Sequence, residues 1–93
     1  MPNKFTKQPA EVKDYDFEWE QWLSTTSGDL ISSVNVTATA GITVDSSQII
    51  SGLTVKVWLS AGTDGSDYRV TCRITTVQGR VAETEIMIYV REL

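Results

Sequence analysis

The C-terminal half of the chain alternates apolar and polar residues with a period of two, and this pattern most limits what the chain can fold into. Three runs follow it, at residues 53–59, 68–74 and 82–90. A period of two places successive side chains on opposite faces of a strand, so each run predicts a strand with one buried face. No segment has a convincing helical period. The pattern therefore predicts an all-β protein.

The same alternation occurs near the N-terminus, in the stretch DYDFEWEQWLS at residues 14–24. Tyr15, Phe17 and Trp19 share one parity and acidic residues share the other, which predicts a strand with its rings in the core. The outward acids keep this strand soluble and discourage unwanted edge pairing. Further strands are predicted at 31–38 and, as a shorter run ended by DSSQ, at 42–44. About seven short strands separated by Gly, Ser and Asp turns indicate an antiparallel β-sandwich of immunoglobulin type.

The connection between the last two strands can be predicted in more detail. Both strands place even-numbered residues in the core, so the loop between them must contain an odd number of residues. The segment Val77-Gln78-Gly79 fits a three-residue loop, with Gly79 in the left-handed conformation. The resulting register pairs Arg73 with Glu83, Thr71 with Glu85, and Val70 with Ile86.

Length and composition predict one globular domain with an N-terminal extension. The chain has 93 residues, of which 41% are hydrophobic and 22% charged. Residues 1–13 contain three lysines and two prolines without periodicity, so we predict an extended arm there and the sandwich over 14–93. Because the arm is basic and the rest of the chain acidic, we expect the arm to bind acidic surfaces. We also expect removal of the arm to weaken assembly with other proteins more than it lowers the stability of the domain.

Charge and hydropathy exclude several classes of partner. The net charge of −4 disfavours binding to nucleic acid, which relies on Lys and Arg at the phosphates. No apolar run approaches the length of a signal-peptide core or a membrane span, so we expect a soluble protein without an export signal or membrane partner. Cys72 is the one cysteine and cannot form an internal disulfide, which fits a reducing cytoplasm.

The residue types of common catalytic sites are missing or explained by the strand pattern. The sequence contains no histidine, and no serine stands in a nucleophile-elbow context. Cys72 occupies a core position, where its thiol should be unreactive. We therefore expect no enzyme activity, no cofactor and no metal centre. The loop at 63–67 carries Asp64 and Asp67, which could hold calcium weakly, and the sequence leaves that question open.

Large side chains at outward positions indicate a surface for binding other proteins. Trp58, Met87 and Tyr89 have the polar parity of their strands, and two arginines lie at outward positions beside them. Rings rimmed by arginine are typical of interfaces. We predict that they share the outer face of one C-terminal sheet and that the arm adds to it. The candidate protein interface comprises Phe5, Lys7, Trp58, Arg69, Arg73, Met87 and Tyr89.

Three groups of residues resemble a known protein family. The first comprises Asp14, Tyr15, Phe17, Trp19, Trp22 and Leu23. The second comprises Val57–Ser60 and Gly62–Gly65. The third comprises Tyr68, Val70, Thr71, Arg73, Thr75, Thr76, Gly79, Arg80 and Glu83. Together they resemble the fiber-tail adaptor proteins of tailed bacteriophages, which are small virion proteins with an immunoglobulin-like fold. The resemblance covers about two-thirds of the chain, and Ala61 and Cys72 depart from the pattern.

The resemblance implies a non-catalytic structural protein of the virion. Such a protein would be present in many copies, hold fibers or neighbouring proteins to the tail or neck, and be assembled in the cytoplasm of the bacterial host. Two alternatives stay open at this point. One is a capsid decoration protein of the same fold, and the other is a carbohydrate-binding module that uses Trp58 and Tyr89 as a stacking platform.

Overall fold

Seven strands and one helical turn make up residues 4–92, the part of the chain that the computed structural model describes. The elements are β1 (Lys4–Lys7), β2 (Lys13–Glu18), α1 (Glu20–Leu23), β3 (Ile31–Ala38), β4 (Ile42–Ile50), β5 (Thr54–Ala61), β6 (Asp67–Thr76) and β7 (Val81–Val90). The prediction of an all-β protein with about seven strands is confirmed. No helix in this part of the chain is long and apolar enough to cross a membrane.

The strands form two sheets that enclose one core. The four-stranded sheet has the order β1-β7-β6-β3 and the three-stranded sheet the order β2-β5-β4. All neighbours pair antiparallel except β1, which pairs parallel with β7. The orders β2-β5-β4 and β3-β6-β7 are those that an immunoglobulin-type sandwich requires of its last six strands. Membership of that fold type stays a prediction.

Both sheets contribute side chains to the core according to the predicted alternation. Tyr15, Phe17 and Trp19 of the N-terminal pattern are buried, and the acids between them are exposed. Cys72 is fully buried, and burial raises the pKa of its thiol to about 11, so at neutral pH the thiol is protonated and unreactive. The remaining core residues are Leu23, Ile31, Ile42, Val55, Val57, Leu59, Tyr68, Val70, Ile74, Ile86, Ile88 and Val90.

The β6–β7 hairpin has the predicted register. Arg73 pairs with Glu83, Thr71 with Glu85, and Val70 with Ile86. The amide of Thr76 donates to the carbonyl of Arg80 at 2.8 Å, which closes the three-residue loop. Gly79 has a φ of 84°, in the left-handed region, as a bulged hairpin requires.

Two segments differ from the sequence prediction because they lie at sheet edges or leave a sheet. Strand β4 continues through the polar run DSSQ to Ile50, with a register shift between Val44 and Ser46. Because an edge strand tolerates polar residues on both faces, the turn-forming residues of DSSQ do not end β4. After Trp19 the chain forms α1, and this helical turn is why Trp22 and Leu23 break the alternation.

The predicted arm is partly built into the sandwich. Lys4–Lys7 forms β1, which pairs with residues 87–90 of β7. Phe5 packs against the core from this strand and Lys7 is fully buried. The expectation that removing residues 1–13 weakens assembly more than stability stays a prediction, but removal would expose the β7 edge and part of the core, so we also expect a loss of stability. Residues 1–3 of the arm lie outside the described residues.

The β5–β6 connection carries the chain from one sheet to the other, and this crossing decides where the predicted interface residues lie. Tyr68 fixes the connection, because its hydroxyl accepts a hydrogen bond from the Thr63 amide at 2.9 Å. Gly62 has a φ of 98°, and a Cβ there would come within 2.7 Å of the Val90 side chain. The crossing therefore depends on glycine for both its conformation and its space.

Candidate protein interface

The outer face of the four-stranded sheet gathers four of the predicted interface residues, Arg69, Arg73, Met87 and Tyr89. Met87 lies between Arg69 of β6 and Lys4 of β1, since both are its cross-strand partners. Met87 and Tyr89 are half-buried, whereas both arginines are exposed. The face therefore presents two large side chains beside basic residues, and the acids Asp67, Glu83 and Glu85 lie on the same face.

Tyr89 has a further cation beside it. The Arg91 guanidinium carbon lies 5.8 Å from the centre of the Tyr89 ring, and Arg91 Nη2 lies 2.9 Å from Asp67 Oδ1. Asp67 is the cross-strand partner of Tyr89, so one carboxylate holds the guanidinium at the ring. We call this surface the basic face and define it as Lys4, Arg69, Arg73, Met87, Tyr89 and Arg91.

The ion pairing on the basic face leaves its arginines available to a partner. Arg69 Nε lies 3.3 Å from Glu85 Oε2, and the two side chains are 60% and 52% exposed. A pair this exposed contributes about 0–1 kcal/mol to stability. Arg73 pairs in register with Glu83 but forms no ion pair among residues 4–92. These charges therefore add little to the fold.

Trp58 lies on the opposite side of the molecule. Its strand, β5, pairs with β2 and β4, so its outward side chains emerge from the three-stranded sheet. The indole is 38% exposed, between the cross-strand partners Asp14 and Ser46. The outward parity of Trp58 is thus confirmed, but its predicted place on one face with Met87 and Tyr89 is wrong. The cause is the β5–β6 crossing, which sequence alternation does not reveal.

Two acidic residues of β2 and one lysine of β5 share the outer face with Trp58. Lys56 Nζ lies 3.0 Å from Asp14 Oδ2 and 3.5 Å from Asp16 Oδ1. The hydrogen bond from Lys56 lowers the pKa of Asp14, and the same bond raises the pKa of Lys56. We call this surface the Trp58 face and define it as Asp14, Asp16, Lys56 and Trp58.

The two arm residues of the predicted interface point inward. Phe5 meets Tyr15 edge to face, with 5.2 Å between ring centres. Lys7 is 0% exposed, and its ammonium donates to the carbonyls of Ala61 at 2.7 Å, Gln8 at 2.8 Å and Pro9 at 3.3 Å. Burial lowers the pKa of Lys7, although Glu11 and Asp45 act in the opposite direction. Lys7 therefore serves the fold and is not exposed to a partner.

A buried carboxylate in the connection between α1 and β3 organises one end of the sandwich. Asp29 is 4% exposed, and its Oδ2 accepts from Arg80 Nε at 2.7 Å. Its Oδ1 accepts from the backbone N–H of Gln78 at 3.2 Å. Burial by itself would raise the pKa of Asp29, but hydrogen bonds from Arg80, Thr76 and Gln78 outweigh it and hold the pKa below its ordinary value. The carboxylate is therefore ionised at neutral pH.

Arg80 connects this carboxylate to the helical turn. Its guanidinium lies 4.2 Å from the centre of the Trp22 ring, and it donates to the Leu23 carbonyl at 3.2 Å and to Thr25 Oγ1 at 3.1 Å. We call this group the Asp29–Arg80 cluster and define it as Trp22, Leu23, Thr25, Asp29, Gln78 and Arg80. Its one signal in the sequence was the appearance of Trp22, Leu23 and Arg80 in the family pattern.

The carboxylates of the 63–67 loop both have partners in the chain. Asp64 Oδ1 accepts from the Glu92 amide at 2.8 Å, and Asp67 pairs with Arg91. Within residues 4–92 no group of three or more His, Cys, Asp or Glu side chains is arranged to hold a metal ion. The loop carboxylates thus connect the loop to the end of the chain.

Comparison with known families gives a match to the podophage GP4 fiber-tail adaptor protein gp77 over residues 7–89. The chain belongs to this family. The match confirms the resemblance found in the sequence and extends it to nearly the whole chain. It agrees with a structural adaptor of a tailed bacteriophage, and hence a virion component, and it supports neither a capsid decoration protein nor a carbohydrate-binding module. No curated protein matches the chain.

The region matched to the gp77 adaptor family contains the whole Trp58 face and four of the six residues of the basic face. It includes Trp58 on one side and Arg69, Arg73, Met87 and Tyr89 on the other. It also includes the whole Asp29–Arg80 cluster, whereas Phe5 lies before its first residue. Lys4 and Arg91 of the basic face also lie outside the match, which covers the rest of both surfaces and the cluster that holds one end of the fold.

Proposed function

We propose that this member of the gp77 family is a non-catalytic adaptor that links fibers or neighbouring proteins to the tail or neck through its two outer faces. One observation carries the proposal: the exposed residues predicted to form an interface lie on opposite faces of the sandwich. An adaptor must contact two partners at once. Sheets in a sandwich pack about 10 Å apart, so two partners can bind back to back on a thin molecule.

The basic face has the chemistry of a protein interface. Arginine, methionine and tyrosine are enriched in interfaces relative to other surfaces, and all three are present here. Met87 and Tyr89 supply apolar area. Four basic residues share this face with three acidic ones, which leaves a small positive charge: Lys4, Arg69, Arg73 and Arg91 against Asp67, Glu83 and Glu85. This face fits a partner surface that is apolar at its centre and acidic at its rim.

The Trp58 face fits a partner of different charge. Its indole is the one large exposed aromatic side chain among the described residues, and tryptophan is the residue type most often found at the energetic centre of an interface. Asp14 and Asp16 lie on the same face and share Lys56, so the face keeps a net negative charge. It fits a partner surface with an apolar pocket and basic neighbours.

The absence of catalysis is supported by the residue types in the chain. The sequence contains no histidine, and its one cysteine is buried with a raised pKa. The acidic net charge supports partners that are proteins rather than nucleic acid or membrane. A free thiol fits synthesis in the reducing cytoplasm of a bacterial host, before many copies enter the virion.

The proposal is tested by removing each face separately and measuring which neighbour is lost from purified virions. Trp58→Ala and the pair Met87→Ala with Tyr89→Ala should leave the domain folded and reduce incorporation. Each variant should lose association with a different virion protein. Val81→Ala is the matched control, because Val81 is exposed on the same strand as Met87 but at its far end. Normal incorporation of both face variants, or loss of one and the same neighbour by both, would refute two-sided binding.

A further inference from the structure

The edges of the two sheets differ in how they are protected against pairing with another strand. The edge strands are β1 and β3 in one sheet and β2 and β4 in the other. Strand β3 has a register shift between Ile31 and Ser33, and β4 has one between Val44 and Ser46. Bulges of this kind bend an edge and hinder further pairing. Strand β2 pairs with β5 in unbroken register from Lys13 to Glu18, so its free edge is regular.

A groove lies beside this regular edge. It has a volume of about 570 Å³ and runs between β1 and β2, the edges of the two sheets on the same side of the sandwich. The rings of Phe5 and Tyr15 line it, and the Tyr15 hydroxyl donates to the Thr6 carbonyl at 3.4 Å. No backbone–backbone hydrogen bond among residues 4–92 joins β1 to β2. The groove therefore combines aromatic surface with unpaired strand backbone.

An extended polypeptide segment is the occupant that fits both features. The outward N–H and C=O groups of an edge strand pair with the backbone of an added strand. Side chains of adjacent paired strands lie about 4.5–5.5 Å apart, so outward residues of the added strand would stand beside Asp14, Asp16 and Glu18. Inward residues would stand beside Tyr15 and Phe17. The added segment should therefore alternate basic and apolar residues.

The charges around the groove restrict where the basic residues of the segment belong. Lys56 contacts Asp14 and Asp16 from the β5 side, which leaves their other side open. Glu18 forms no ion pair among the described residues. Lys13 and Lys4 also line the groove and would repel a basic residue placed next to them. The favoured positions are consequently those opposite Asp16 and Glu18.

We propose that the β2 edge binds an extended segment of another virion protein as an added strand, with basic residues beside Asp16 and Glu18 and apolar residues beside Tyr15 and Phe17. This inference rests on the proposed adaptor function and deepens it by naming one kind of partner contact. The acids of β2 then have two effects. They repel acidic strands, and they select a basic strand.

The test uses the isotopically labelled full-length protein and an acetylated, amidated peptide of alternating lysine and valine. NMR should show shift changes concentrated at Lys13–Glu18 and Lys4–Thr6, with hydrogen exchange slowed at least about tenfold at alternate β2 amides. Two control peptides should not bind: one alternates glutamate and valine, and the other repeats the lysine peptide with every backbone amide N-methylated. Equal binding of the N-methylated peptide would refute strand addition, because that peptide keeps the charge but has no donors.

Charge reversal on the protein completes the test. The pair Asp16→Lys with Glu18→Lys should weaken binding of the lysine peptide at least about tenfold and permit binding of the glutamate peptide. Should the reversed pair lower the melting temperature, the neutral pair Asp16→Asn with Glu18→Gln tests the loss of lysine-peptide binding alone. Glu83→Lys with Glu85→Lys is the matched control, since these acids lie on the other sheet, and it should leave binding unchanged.

Three outcomes would overturn the inference. They are no binding of the lysine peptide, shift changes centred outside β1 and β2, and protein-concentration-dependent changes at β2 without peptide, which would assign the edge to a second copy of this chain. All three are read at the β1 and β2 edges, whereas the face variants change Trp58, Met87 and Tyr89. If the peptide does not bind while the face variants still lose different neighbours, strand addition fails and the adaptor proposal stands.

Discussion

The Asp29–Arg80 cluster and the basic face are built from similar residues, yet they have opposite roles. Each combines arginine with an aromatic ring, Arg80 with Trp22 and Arg91 with Tyr89. In the cluster the arginine is fixed by a carboxylate that is fully buried, whereas on the basic face the ion-paired partners are roughly half exposed. A cation thus serves the fold where its partner is buried, and it stays available for binding where its partner is solvated.

The same distinction separates two lysines of one strand. Lys7 is buried and donates to three backbone carbonyls, while Lys4 is exposed at the margin of the basic face. The basic composition of the arm placed Lys7 among the interface candidates, and a lysine is rarely buried. Its burial depends on carbonyls from residues 8, 9 and 61 meeting at one point, and this arrangement exists only in the folded chain.

The largest effect is expected at Asp29. Replacing it in Asp29→Ala leaves the Arg80 guanidinium and the Gln78 amide without their acceptor at a partly buried site. The melting temperature should fall by about 10 °C or more, measured by circular dichroism. Asp29→Asn keeps the shape of the side chain and some of its hydrogen bonds, so its melting temperature should fall by less. A melting temperature within about 2 °C of the wild type for Asp29→Ala would remove the distinction between the cluster and the basic face.

A smaller loss of stability is expected at Lys7. Lys7→Ala leaves buried carbonyls without donors, which costs about 1–3 kcal/mol for an unsatisfied group and shifts chemical denaturation to lower urea. Lys4→Ala is the control on the same strand and should change stability by less than about 0.5 kcal/mol. Equal losses of stability in the two variants would show that the buried position of Lys7 does not contribute to the stability of the fold.

The pH dependence of stability provides a third comparison. Because the pKa of Asp29 is lower in the folded state than its ordinary 3.8, its contribution is fully present above about pH 4. That contribution is lost as the pH falls through the folded-state value. Urea unfolding between about pH 5 and pH 2 should therefore show a steeper loss for the wild type than for Asp29→Asn. Parallel curves would contradict an ionised, hydrogen-bonded carboxylate at this position.

The smallest effect on stability is expected on the basic face. Arg73→Ala should change the free energy of unfolding by less than about 0.5 kcal/mol, since Arg73 is exposed and forms no ion pair among the described residues. The same variant should reduce incorporation into virions. Destabilisation comparable to that of Asp29→Ala would assign Arg73 to the fold instead of to binding.

Sequence reasoning predicted the features of this fold that depend on local alternation and turn chemistry. The burial of Tyr15, Phe17 and Trp19 and the register of the Arg73–Glu83 hairpin follow from a period of two and one three-residue loop. It did not predict which sheet a strand joins. The outward position of Trp58 was correct, but its face depended on the connection at residues 62–66 crossing between sheets.

The parts of the candidate site that escaped prediction all depend on contacts between residues distant in sequence. Asp29 and Arg80 are separated by 51 positions, and Lys7 and Ala61 by 54. A turn former such as Asp29 has the same local signature whether its carboxylate is solvated or buried. The distinction requires knowledge of which loops meet at one end of the sandwich, and alternation within a strand contains no such information.

Lysine crosslinking of intact virions, read out by mass spectrometry, tests two-sided binding most directly. The chain has four lysines, at positions 4, 7, 13 and 56, and two of them mark the two faces. Lys4 borders the basic face, and Lys56 lies on the Trp58 face. Two-sided binding predicts crosslinks from Lys4 and from Lys56 to different virion proteins. Crosslinks from both lysines to the same segment of a single neighbour would contradict it.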